Sequence, residues 1–512
     1  MSSPSLHSRY AAKLSTNLIG LAINLVTQAI IPRGLGPKAY GDFNYLSNFF
    51  SQLMPFLSLS TSTGFYTKIS QRQNEFGLIS FYFQFNGLST IALFIFIVGS
   101  QLTGISGILW LDQNICYVYM AGVWGALTWL AMLLTQVADA YGITVSTEVA
   151  RIAQRCLGLF IVLALFLYNQ LNLIHFFFYQ YGVLLLLILS FIWIIGHTGH
   201  SFLQKWRLHE HQIKSYIKEF YHYSHPLFFF ALIGMVVGIL ERWLLQKYGG
   251  SIEQGFFSLS YQIGAVCFLF TSAMTSLIMR EFSIAFGNND LREMARLFRR
   301  YIPLLYGVAA YFGCFACVHA EEITYIFAGG SFAGAALPVM IMSLYPIHQT
   351  YGQLSGSVFF AAGQTKLYRN IGLLYMALGL PIAYVMLAPV TQFGLDAGAV
   401  GLAIKFVIVN FIIVNVQLYF NARLLNLRFV KYFGHQIFCA GLLLGVALLS
   451  KAAVDQVGGL QDKIIAGFLL AGILYTMLVT ALIYVLPVVF GLRRDDITNL
   501  ASFCSKMVKR FV

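Results

Sequence analysis

IPRGLGPKAYGDFNYLS, residues 31–47, joins an apolar run over 14–31 to a second over 40–66. Two prolines and three glycines crowd into this one connection, so the segment reads as a tight turn between two helices. Arg33, Lys38 and Asp42 put charge there, where apolar helices must meet a polar surface. The pattern returns in LLQKYGGSIEQGFFSLS, residues 244–260. Gly36 and Gly249 can each end a helix, and Gly41 and Gly255 can each start the next. Each second glycine stands two residues before a phenylalanine, Phe43 or Phe257. Two hairpins built to one plan predict an internal repeat.

Working outward, the 512 residues are 58% hydrophobic and 10% charged, against roughly a quarter charged in a soluble domain. A surface facing water needs about 25 to 35% charged residues, so most of this chain faces lipid. Windows of about 19 residues pick out fourteen apolar segments long enough to cross a bilayer. None alternates with a period of two, which excludes barrel strands and leaves helices. The sequence therefore predicts an all-α polytopic membrane protein of about 14 transmembrane helices, two six-helix lobes plus two C-terminal helices. The lobes are expected over 1–198 and 225–423, with a cytoplasmic linker over 199–224 and two further helices and a cytoplasmic tail over 424–512.

Lys and Arg number 32 and Asp and Glu 19, a net charge of +13 that by itself suggests nucleic acid. Placement removes that reading. With the N-terminus cytoplasmic, 25 of the 32 basic residues fall on the inside. Only Arg33, Lys38, Arg242, Lys247, Lys451 and Lys463 fall towards the outside, and Lys405 lies within a helix. This is the positive-inside rule; it puts both termini in the cytoplasm and gives no indication of nucleic acid. The seven cysteines include a CxxC, Cys314 and Cys317, but inside a strongly apolar helix, so packing is expected and not redox work. No cleavable signal precedes the first apolar run. His197, His200, His209, His211, His222 and His225 cluster around the linker, yet no HExxH helix accompanies them, and neither a metal nor a cofactor is expected. No phosphate-binding GxxxxGK[ST] loop occurs, and the outside loops are too short to carry the catalytic residues of a membrane polymerase or ligase. A non-enzymatic role follows.

At PRGLGPKAYG the chain resembles the polysaccharide transporter family, the Wzx-like O-antigen and exopolysaccharide flippases of the multidrug/oligosaccharidyl-lipid/polysaccharide exporter superfamily. The residues that carry the resemblance are Asn17, Asn24, Arg33, Leu35, Gly36, Pro37, Tyr40 and Gly41, with Gly64, Glu241, Arg242, Gly255 and Phe257 further on. The acid at 241 is Glu where the family commonly has Asp. The resemblance implies two six-helix lobes about a cavity. It also implies export of an undecaprenyl-diphosphate-linked oligosaccharide across the bacterial inner membrane by alternating access. Implied partners are the lipid-linked oligosaccharide, membrane lipids, a polysaccharide polymerase and chain-length proteins, with H+ or Na+ coupling. A cation-coupled multidrug exporter of the same fold is the alternative.

A diphosphate and sugar hydroxyls are costly to expose to hydrocarbon, so charges at membrane depth are the site candidates. For substrate binding these are Arg242, Glu241, Arg33, Lys405, Arg151 and Arg155. For ion coupling they are Asp42, Asp139 and His348, the histidine because its charge changes near neutral pH. Each has a plainer reading. Glu241, Arg242 and Lys405 can snorkel to the interface, Arg33 can mark the membrane boundary, and Asp42 can serve a helix dipole. Glu148, Arg151 and Arg155 share one helix face, with Asp139 within reach of either arginine. Asn410 and Gln417 share another face, with Asn415 in the same helix.

Overall fold

The computed structural model describes the chain except residues 1–5, 58–60, 73–74, 199–208, 458–462, 493 and 495–512. His200, the first part of the expected linker and most of the expected C-terminal tail therefore lie outside the described residues. Everything regular is helix. In chain order the α-helices are α1 (Leu6–Leu57), α2 (Thr61–Gln71), α3 (Phe76–Leu102), α4 (Ser106–Leu109), α5 (Ile115–Ala140), α6 (Thr144–Leu167), α7 (Leu173–His197) and α8 (Glu210–Gly287). There follow α9 (Leu291–Val318), α10 (Ala320–Ala328), α11 (Ala336–Met342), α12 (Tyr345–Ala361), α13 (Thr365–Leu387), α14 (Gly398–Leu424), α15 (Phe429–Asp455) and α16 (Ile464–Val485). No strand occurs among the described residues, as lipid solvation requires of anything but a closed barrel.

Eleven helical segments among the described residues are long and apolar enough to cross a membrane. The expectation of about 14 is not reached by that measure. The first two expected spans lie on α1 and α2, neither of which is among the eleven, and the two expected on either side of residue 250 overlap one continuous stretch, Phe228–Phe268. The protein is thus a multi-pass, all-α membrane protein. Its chain divides into two compact units, Met1–Gly255 and Phe256–Val512.

Both quoted hairpins are breaks inside long helices. Gly36 has φ 73° and ψ 169°, and Gly250 has φ 74° and ψ −172°. That backbone region is nearly closed to residues with a Cβ, so glycine is required at each. Pro37 sharpens the first break, because it disfavours helix at residue 36 and presets φ for the turn that follows. The second break falls at Gly250 and not at Gly249. The shift perfects the repeat: Gly36 and Gly250 each precede the next matched glycine, Gly41 or Gly255, by five residues.

Elsewhere asparagine and aspartate side chains mark where helices begin. The side chains of Asn114, Asn172 and Asp290 accept hydrogen bonds from the backbone N–H groups of Cys116, His175 and Glu293, capping α5, α7 and α9. In the first unit a buried cluster joins α2, α3, α5, α7 and the start of α8 around Phe65, Tyr82, Leu134, Phe191 and Phe220. In the second, α9, α12 and α15 meet around Phe298, Tyr306, Tyr351 and Leu443, and Cys314 is buried there as packing.

Candidate functional site

In the first unit the two hairpins meet backbone to backbone. A Cβ at Gly41 would overlap the Ser251 carbonyl oxygen, and a Cβ at Gly255 would overlap that of Pro37. The two matched glycines are therefore the places where the two hairpins touch, which is what small residues do at close helix crossings in lipid. α4 and the loop after it lie over this contact. Tyr45 Oη donates to Leu109 O at 2.8 Å, Trp243 Nε1 to Ile108 O at 2.6 Å and Gln246 Nε2 to Leu111 O at 3.2 Å.

A polar bridge crosses the same place. Gln113 Nε2 donates to Asp42 Oδ1 at 2.8 Å and reaches Ser251 Oγ at 3.4 Å, while Gln246 Nε2 donates to the same Ser251 hydroxyl at 3.1 Å. Arg242 Nη1 donates to Gln254 Oε1 at 3.2 Å, and Gln254 Nε2 returns a bond to the Arg242 carbonyl. Gln254 is fully buried, and Glu241, the residue before Arg242, is buried too. Arg242 is thus fastened across the break to the other arm of its own hairpin. Arg33 and Lys38 are exposed, and Lys247 lies over the rings of Trp243 and Tyr248 at 5.0 and 5.1 Å. The structure brings Asp42 into one network with the helix that carries Glu241 and Arg242. The mediators, Gln113, Gln246, Ser251 and Gln254, are neutral and carry no sequence signal beyond polarity near a helix end.

The second group of expected residues lies at the start of α6. Glu148 is buried and accepts from Arg151 Nη1 at 2.8 Å, and Arg151 reaches Thr135 Oγ1 at 3.4 Å. Asp139 accepts from Thr144 Oγ1 at 3.1 Å. Arg155 points to α1, where a Cβ at Gly20 would overlap its guanidinium. The predicted common face is present, and Arg151 is neutralised on it by Glu148.

In the second unit Lys405 is fully buried on α14. Its ammonium lies 4.4 Å from the Phe406 ring centroid and 5.3 Å from that of Tyr375. Snorkelling to the outer surface, the plain reading of this lysine, is therefore excluded: the side chain runs into the protein, where aromatic faces attract a desolvated cation. Asn410, Asn415, Gln417 and Asn421 are all buried on the same helix. Asn415 Oδ1 accepts from Gln436 at 3.0 Å, and Asn421 Nδ2 donates to Ser355 O at 3.0 Å. Gln417 Oε1 and Asn410 Nδ2 have no hydrogen-bond partner among the described residues. His348 sits against Phe411, ring centroids 4.9 Å apart, and its Nδ1 likewise has no partner among them.

One cluster was not anticipated. Glu219, on the part of α8 that precedes its apolar stretch, pairs with Lys68 and, at 2.8 Å, with Arg72, while Tyr216 Oη donates to Glu75 at 2.6 Å. Burial pushes the Glu219 carboxyl up, but hydrogen bonds from Lys68 and Arg72 outweigh it and hold the carboxyl below its usual range. The Arg72 guanidinium is raised by its bond to Glu219. Phe81 stacks on Phe220 in the same contact, so the end of the expected linker is fixed to α2 and α3. Among the described residues, no group of three or more histidine, cysteine or acidic side chains is placed to hold a metal ion.

No family model and no curated protein matches this sequence. Solved structures do match over most of its length. A lipid II flippase, MurJ, in an inward closed conformation aligns with a TM-score of 0.65 at 12% identity, covering 93% of this chain and 99% of that one. An inward-facing multidrug resistance MATE family transporter of the MOP superfamily aligns at 0.59 and 14%, covering 81% and 98%. A MOP superfamily transporter from Pyrococcus furiosus aligns at 0.51 and 14%, covering 82% and 95%. At such identities the likeness is one of fold, and the chain has the fold of these transporters.

Proposed function

We propose that this protein is a flippase that carries an undecaprenyl-diphosphate-linked oligosaccharide, an O-antigen or exopolysaccharide repeat unit, across the bacterial cytoplasmic membrane by alternating access. In this reading the lobes are 1–198 and 225–423, the linker 199–224 and both termini are cytoplasmic, and 424–512 supplies the appended helices. The observation that carries it is Lys405, a buried cation at membrane depth on a helix lined with four buried amides. A fixed cation offsets the desolvation of a diphosphate, and amides replace the water on sugar hydroxyls. An ionisable group so placed is expensive unless it is used. The fold shared with a lipid II flippase supports the same class of cargo.

Arg33, Glu241 and Arg242 serve the outer hairpins in this scheme, Arg151 and Arg155 the cytoplasmic entrance, and Asp42, Asp139 and His348 the coupling of H+ or Na+. Polymerase and chain-length proteins act on the product outside. The test is deletion of the gene, followed by analysis of surface glycan and of lipid-linked intermediates. Loss of glycan with intermediates held on the cytoplasmic side is expected. Unchanged glycan together with new sensitivity to cationic drugs would replace this reading with that of a multidrug exporter.

A further inference from the structure

In the second unit three spanning helices have their ends together: Val318 closes α9, Asp455 closes α15 and Ile464 opens α16. Between these ends and α10 lies a cavity of about 120 Å³, with His319, Glu322, Lys451 and Asp455 as its polar lining and Phe468 and Ala471 on the α16 side. Beside it, an apolar groove of about 540 Å³ follows α16 from Phe468 to Met477, against Tyr311, Phe312 and Phe315 of α9. Phe468 lines both spaces, and the Phe315 ring lies 4.5 Å from that of His319 and 5.4 Å from that of Phe468 between centroids. The hydroxyls beside the groove are engaged within the protein. Tyr475 Oη donates to Tyr311 O at 3.0 Å, and the hydroxyls of Tyr311 and Thr476 pair at 2.7 Å. The cavity is the opposite case. Both imidazole nitrogens of His319, a residue 2% exposed, and Glu322 Oε2 are buried without a hydrogen-bond partner among the described residues. Lys451 Nζ lies 2.8 Å from Glu322 Oε1 and donates to Val318 O at 3.2 Å, which takes up two of the three protons of the ammonium.

Unsatisfied buried polar atoms are costly, and a polar cavity that opens on an apolar groove suits an amphiphile. The dimensions agree. Helix ends lie at headgroup depth, and the stretch of α16 from Phe468 to Met477 descends about 14 Å, roughly half of a hydrocarbon core of about 30 Å. That is the depth of one leaflet, the reach of one acyl chain. The polar atoms choose the head. Glu322 Oε2 is a charged acceptor that needs a donor, a neutral imidazole offers one donor and one acceptor, and Lys451 has a third proton to give. Because Lys451 and Glu322 neutralise each other, the fitting head carries no net charge. A metal ion does not fit, because no three acidic, histidine or cysteine side chains are placed to ligate one among the described residues. We propose that cavity and groove together bind one zwitterionic phospholipid with a primary-ammonium head, of the phosphatidylethanolamine type. Its ammonium meets Glu322 and His319, its phosphate meets Lys451, and one acyl chain lies along α16. A choline head has no N–H to donate and leaves Glu322 Oε2 unmet. The site is independent of the transport reading.

The six native tryptophans all belong to the first unit, so an indole added to the second reports on it above a constant background. Ile473→Trp places one at the exposed edge of the groove, and Ile437→Trp places a reference on the exposed face of α15. Phosphatidylethanolamine and phosphatidylcholine with the same brominated acyl chains, which quench an indole on contact, are titrated into the full-length, detergent-purified protein. Half-quenching of Ile473→Trp is expected at about tenfold less phosphatidylethanolamine than phosphatidylcholine, the effect of one charged hydrogen bond. Ile437→Trp is expected to respond alike to both. Adding Glu322→Gln to Ile473→Trp removes the charged acceptor, and the two lipids are then expected to quench alike. Three results would overturn the site: an equal response of Ile473→Trp to both lipids, as a groove beside a merely hydrated cavity would give; a preference of the same size at Ile437→Trp; or a preference that survives Glu322→Gln. The comparison of the two lipids leaves the cavity unaltered, so it decides even where Glu322→Gln does not fold.

Discussion

The glycine hairpins of the first unit and α14 of the second solve different problems. At the hairpins, backbone meets backbone. Gly41 and Gly255 leave no space for a Cβ, and Gly36 and Gly250 hold a conformation that a Cβ forbids. On α14 the contacts are made by side chains, a lysine and four amides buried at full length. The first kind of contact writes itself into the sequence as a spaced glycine pattern. The second leaves only scattered polar letters in an apolar run. A region held by backbone should fail abruptly on adding a methyl group, whereas a region held by side chains should lose function before it loses its fold.

The largest expected effect is that of Gly41→Val. Its side chain would have to displace the Ser251 carbonyl, a rigid group, and a loss of about 3 kcal/mol in stability is expected, read from denaturant or thermal unfolding in detergent. Normal unfolding of that variant would mean that the hairpins do not touch there. Lys405→Met is the opposite case. Replacing a buried charge by an apolar chain of similar volume is often neutral or stabilising, so the protein should remain in the membrane while export falls at least about tenfold. Full export would reduce Lys405 to a structural group.

Asn421→Leu comes next. It removes the donor to Ser355 O and should cost about 1 kcal/mol with little change in membrane level. The linker contact gives a smaller effect and a sign. Glu219 is held below its usual range in the folded protein, so its contribution is present above the unfolded value of about 4.3 and is lost as pH falls through the folded one. Glu219→Gln should therefore cost about 0.5 to 1 kcal/mol at pH 7, less in high salt, with the difference from wild type closing in acid. A pH-independent difference would mean packing and not charge. The smallest effect, with reversed sign, belongs to Gly87→Ala on α3. Nothing stands within 4 Å of a Cβ there, so ordinary helix propensity should stabilise by about 0.5 kcal/mol. The contrast between residues 41 and 87 separates a packed glycine from an incidental one.

Fold class was legible because it rests on solvent chemistry summed over the whole chain. A bilayer demands long apolar helices whatever their partners, and the positions of the described helices follow the apolar runs. The glycine repeat was legible for a local reason, except that Gly250 and not Gly249 takes the strained backbone. The sites were less legible. Asp42, Glu241, Arg242 and Lys405 stand out in the sequence as rare charges, but their surroundings do not, because Gln113, Gln254 and Tyr375 are far from them in the chain or ordinary in composition.

The sequence by itself determined the solvent, the helical class, the expected orientation by its basic residues, and the two hairpins. It did so because hydropathy, the positive-inside bias and glycine's conformational range each act over a few turns of chain. Only the tertiary structure decided that Lys405 turns inward to two aromatic rings, that Gln113 carries Asp42 to Ser251, and that His319 is shut in with Glu322 and Lys451. Whether a charge at membrane depth reaches water or is buried against a partner is settled by which helices pack beside it, and no window along one helix contains that.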